Sequence, residues 1–167
     1  GQFRPDADEA LISLLFTVPD DKKSGIVGAM VALKVNRGVP FLLSLAFDKN
    51  GSGETHELAR KALEQLSGPL PTQRQTARIL RTEVETTFSQ PVPLGLEVLS
   101  LLQWDATANQ VVAKQVSFEM WRRERAAYLA EKAVQLVTDD QELRDLAACL
   151  QLERVGYLER VEWAVDS

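Results

Sequence analysis

Asp48, Asn50 and Ser52 fall at alternate positions in the stretch FDKNGSGETHEL, residues 47–58, and Gly53 follows directly. Oxygen-bearing side chains at every second position, then a glycine that lets the chain bend back, suit a loop closing around a calcium ion. Glu57 is the carboxylate that would complete such a shell if the loop ran two residues short. The candidate metal ligands are therefore Asp48, Asn50, Ser52 and Glu57, and calcium is the one cofactor the sequence suggests. The same residues also make an ordinary strand-to-helix turn. Asn-Gly and Ser-Gly accept left-handed backbone, and Ser52 or Thr55 can cap a helix.

Over a dozen residues the stretch resembles the start of an EF-hand loop. That loop carries a bidentate Glu at its twelfth position, where this chain has Ala59, which offers no ligand atom. The preceding FLLSLAF reads as a strand rather than an entering helix, so the turn reading is preferred. His56, the only histidine, lies between Glu54 and Glu57 at a helix start and is expected to face solvent. A general base needs a positioned partner, and none is evident. Cys149, the only cysteine, reads as a small residue on an apolar helix face. A single cysteine excludes an intramolecular disulfide and a multi-cysteine metal site, and it points to a cytoplasmic or other reducing compartment. No Gly-x-Ser-x-Gly elbow, phosphate-binding loop or dinucleotide fingerprint is present.

Two arginine groups remain. Arg74, Arg78 and Arg81 share one helix face with Glu85, opposite the apolar residues Ala77, Leu80, Val84 and Phe88. Three guanidiniums in line can hold a phosphate or an acidic protein surface; a plain solvated face, with Arg81 and Glu85 paired one turn apart, is the competing account. Arg122, Arg123 and Arg125 follow Trp121 near the start of a second helical stretch. Basic residues there oppose the helix dipole, which suggests a docking role unless the helix begins earlier.

The elements that must position these residues are read from periodicity. Residues 10–18, 25–35 and 39–47 are apolar and partly alternating, and predict a three-stranded antiparallel meander with turns at PDDKKSG and NRG. A helix is predicted from Glu54 to the SGPLP break. A second begins after Thr72, whose capping-box partner is Gln75. QPVPLG ends it and marks a possible sub-boundary near 89–95. Residues 95–118 read as a hairpin around DATANQ, with a helix as the rival. Residues 119–137 predict a helix, and a further one starts after Thr138 or Asp139. The fold expected is α+β: a mainly antiparallel sheet of about five strands, helices on one face and a helical C-terminal section, all in one domain spanning 1–167.

Composition narrows the function. The chain has 167 residues, 45% of them hydrophobic, and a net charge of −5. Residues 1–90 balance 11 basic against 11 acidic side chains, whereas residues 91–167 hold 8 against 13, so all the excess acid lies in the second half. That balance argues against nucleic acid as a partner. No apolar run is long enough to span a membrane, and the start shows no signal peptide, although an upstream targeting segment is compatible with a chain beginning at Gly1. The expected function is a non-catalytic protein-interaction or assembly domain, with another protein or a second copy as partner. The alternatives are a small-ligand or calcium-regulated module using residues 48–57, and an enzyme with carboxylate chemistry, which needs no local motif.

Overall fold

The apolar segments expected to form a meander are helices. The computed structural model describes residues 4–92, 94–95 and 97–165, with side chains for 7–92, 94–95 and 97–160. Among the described residues there are seven α-helices and a single two-stranded sheet, which overturns the expectation of a five-stranded sheet. The helices are α1 (Arg4–Thr17), α2 (Asp20–Ala32), α3 (Val39–Ala46), α4 (Gly53–Ser67), α5 (Gln73–Ser89), α6 (Phe118–Leu136) and α7 (Gln141–Val165). The strands are β1 (Val98–Asp105) and β2 (Gln110–Ser117). They form two compact units from interleaved stretches: residues up to Pro71 with Leu99–Val116, and Thr72–Val98 with Ser117 onward. The QPVPLG break lies within the second unit.

In the first unit, Ile12, Leu15 and Val18 are buried at three-residue spacing, which is helical. PDDKKSG, expected as a turn, is the start of α2. Pro19 is its N-cap, Asp20 and Asp21 occupy the first turn where the helix dipole favours acids, and Lys23 pairs with Asp20 at 2.6 Å. Only Val27 and Met30 of α2 are buried, so its alternating valines were a misleading period. NRG is a short 3₁₀ turn, Asn36–Gly38, rather than a hairpin. α2 closes on Lys34 at φ 53°: Val35 N–H donates to the Met30 carbonyl at 2.9 Å, and Lys34 N–H to that of Val31 at 3.1 Å. This is the Schellman arrangement, with Val35 and Met30 buried together beneath it. Pro40, placed at a strand start from sequence, sits in the first turn of α3, where its missing N–H costs nothing. α4 packs against α3 and α2. The hairpin is as expected, and Thr17 Oγ1 accepts a hydrogen bond from the Trp104 backbone N–H at 2.9 Å, fixing β1 to the end of α1.

The second unit is built around α6, against which both α5 and α7 pack. Ala126, Ala127, Ala130 and Ala133 are all buried, and their small side chains let neighbouring backbones approach. Trp121 and Leu129 from α6 meet a core to which α5 adds Leu80 and Val84 and α7 adds Leu143 and Leu150. α5 has the expected capping box: Thr72 Oγ1 accepts from Gln75 N–H, and Gln75 Oε1 from Thr72 N–H. Asp140 caps α7, its Oδ1 accepting from Leu143 N–H at 3.0 Å. Cys149 is exposed on α7 rather than on a core face.

Candidate functional site

Arg74, Arg78 and Arg81 recur at four- and three-residue spacing on α5, so the helix itself aligns their guanidiniums. They form one wall of an open groove of about 320 Å³ in the second unit. Val137, Asp139 and Asp140, from the link between α6 and α7, form the other wall, and Ala77 and Leu143 lie at its base. Both base residues are buried, 5% and 1% exposed, so the groove has an apolar floor under charged walls.

The three arginines are engaged to different degrees. Arg81 donates Nε to Glu85 at 3.1 Å and Nη2 to Glu142 at 3.4 Å. The Glu85 hydrogen bond, with help from Glu142, raises its guanidinium above an already high pKa. Arg74 lies 3.8 Å from Asp139, with both side chains more than 70% exposed. A pair so long and so exposed contributes little. Arg78 makes neither a hydrogen bond nor an ion pair among the described residues, and it is exposed in the middle of the row.

Arg122, Arg123 and Arg125 are placed differently. α6 begins at Phe118 with Ser117 as N-cap, so these residues lie past its first turn and the conflict with the helix dipole largely disappears. Arg122 Nη1 donates to the carbonyls of Phe88 and Gln90 at 3.2 and 2.8 Å, satisfying carbonyls that the end of α5 leaves open. Both Arg122 and Arg123 hold Glu119. Burial opposes ionisation of the Glu119 carboxyl, but hydrogen bonds from Arg123 and Arg122 prevail and hold it below its ordinary value. Arg123 also lies over the Tyr157 ring at 4.7 Å, and Arg125, 9% exposed, lies over Trp121 at 4.8 Å. Arg122 thus ties α6 to the end of α5 and Arg123 ties it to α7, while the ring contact of Arg125 lies along α6 itself.

The loop at 48–57 uses its oxygens locally. Asp48 Oδ1 accepts from Asn50 N–H at 3.0 Å, and Ser52 Oγ caps α4 by accepting from Thr55 N–H at 3.2 Å. Glu57 lies on α4 facing Arg60 at 4.0 Å. No group of three or more His, Cys, Asp or Glu side chains is gathered at one point among the described residues. His56 is not solvated as expected. It is half-buried, with Nε2 shielded against Gly51 and without a hydrogen-bond partner among the described residues; even a methyl group on Gly51 would come within 2.7 Å of it.

The acids that meet these arginines were not legible in sequence: Asp139 beside Arg74 and Glu142 beside Arg81, the latter pair 61 positions apart, are linked by no spacing rule. Comparison with protein-family models, curated proteins and solved structures finds no match to this chain. No helix among the described residues is long and apolar enough to cross a membrane.

Proposed function

We propose that this chain is a non-catalytic protein-interaction domain that docks a partner in the groove along α5. The observation that carries this reading is Arg78, a guanidinium with five donors and no intramolecular partner among the described residues, held between two further arginines over an apolar floor. Guanidinium rows of this kind recognise carboxylate-bearing surfaces through paired hydrogen bonds. The Arg122, Arg123 and Arg125 group is left out of the proposed docking surface, because Arg122 and Arg123 hold Glu119 and the end of α5 within the second unit and Arg125 is buried. The 48–57 loop serves as the entry to α4, its Asp48 and Ser52 oxygens being engaged with backbone N–H groups.

The test is affinity capture with the wild-type chain and with Arg78→Glu/Arg81→Glu. Both positions lie on the solvent side of α5, so the double variant should fold, as circular dichroism would verify. Expected is loss of a partner that the wild type retains. Undiminished capture by the folded double variant would remove the groove from consideration.

A further inference from the structure

Resting on that reading, the groove's charges define its occupant more narrowly. We infer that the α5 groove binds an acidic segment of another protein, whose carboxylates take Arg78 directly and displace Asp139 and Glu142 from Arg74 and Arg81. The chain's own acids thus act as weak placeholders for those of a partner.

Three features support this. First, the placeholder pairs are loose: Arg74–Asp139 is 3.8 Å and Arg81–Glu142 is 3.4 Å, with the Asp139 and Glu142 side chains 75% and 82% exposed. Exposed pairs at such distances are readily exchanged for a better-placed carboxylate. Second, the guanidiniums are strung out rather than convergent. Their spacing along α5 is about 6 Å and then about 4.5 Å at 1.5 Å per residue. A row of that pitch matches successive carboxylates on a helix with Glu at i, i+4 and i+7, which share one face at the same rise. A single compact phosphate would reach at most part of such a row, whereas carboxylates spaced along a helix reach all of it. Third, Ala77 and Leu143 give the groove an apolar floor that a bound segment would cover, excluding water from the ion pairs formed above it.

The probe is a fluorescent peptide of about 15 residues, near the length at which an isolated helix first becomes populated, with Glu at i, i+4 and i+7 on an Ala/Gln background. A second peptide has Gln at those three positions, and inorganic phosphate serves as competitor. Expected are binding of the Glu peptide alone, affinity that falls with added salt, and about tenfold weaker binding by Arg78→Gln. Asp139→Asn/Glu142→Gln should bind about threefold to tenfold tighter, because the placeholders are gone; acids that merely shaped the groove would give no gain. Equal binding of the Gln peptide, indifference to Arg78→Gln, or weaker binding by the acid-free variant would each overturn the inference. So would displacement by phosphate at low millimolar concentration, which would mark a compact-anion site. If the peptide fails but Arg78→Glu/Arg81→Glu still loses a captured protein, the docking groove stands and its occupant is not acidic.

Discussion

Lys34 holds a backbone conformation that side chains with a Cβ disfavour, φ 53°, and does so because α2 must turn sharply to bury Val35 against Met30. Glycine pays no steric penalty there and is the usual residue at this point of a Schellman motif. Lys34→Gly should therefore stabilise the protein by about 0.5–1 kcal/mol, raising the melting temperature by roughly 2 °C. A thermal melt that falls instead would show that the exposed lysine contributes something beyond its backbone. At this scale the sequence was legible wherever a side chain acts on its own neighbours. Thr72 with Gln75 announces its cap, and the cap of α4 was narrowed to Ser52 or Thr55, of which Ser52 serves, because the bonding atoms lie within three residues. His56 was not legible, since its setting depends on Gly51 folding back over it.

At the scale of elements, the joint between α5 and α6 depends on Glu119. Its carboxylate orients Arg122, whose other donors close the carbonyl end of α5. Glu119→Gln should cost about 1–2 kcal/mol at pH 7 through the loss of charge-assisted hydrogen bonds. The pH dependence follows from a folded pKa depressed below the ordinary 4.5. Above about 4.5 both states are ionised and the contribution is fully present; as pH falls through the lower folded value the unfolded chain has already taken its proton, and the contribution is lost. Denaturant titrations at pH 7 and pH 3 should show less stability lost on acidification in Glu119→Gln than in wild type. Equal losses would mean that Glu119 does not carry the joint. The helices α4 to α6 and the first half of α7 were legible as elements, bounded by caps and breaks, whereas the hairpin was read with a helix as its rival. The first three helices were not. Where nearly every residue is apolar, as in VPFLLSLAF, strand and helix periods cannot be distinguished, and Pro40 fits the first position of either.

For the molecule as a whole, the linear order of the chain and the composition of its two units differ. The hairpin belongs with α1–α4, although α5 is encoded between them. A cut after Gln90, at the proline-marked break that sequence suggests as a boundary, would take the hairpin from the first unit and α6–α7 from α5. Neither fragment should then unfold as cooperatively as the intact chain in a denaturant titration followed by circular dichroism. A fragment 1–90 with a sharp, full-amplitude transition would show that the hairpin is dispensable. The candidate site shows the same limit of linear reading. Its basic wall could be read from α5 alone, but its acidic wall comes from the link between α6 and α7.

That interleaving has a consequence on the ribosome. When Pro71 emerges, α1–α4 exist but the β-ribbon that finishes their unit is still about 45 residues from completion, a delay of roughly 2–9 s at ordinary translation rates. Throughout that interval Thr17 lacks the Trp104 N–H that its hydroxyl will accept, and the nascent helices expose the surface the ribbon will later cover. Any pause that falls between the emergence of Pro71 and that of Val116 would prolong this vulnerable interval, whereas a pause after Val116 has emerged would leave the first unit untouched.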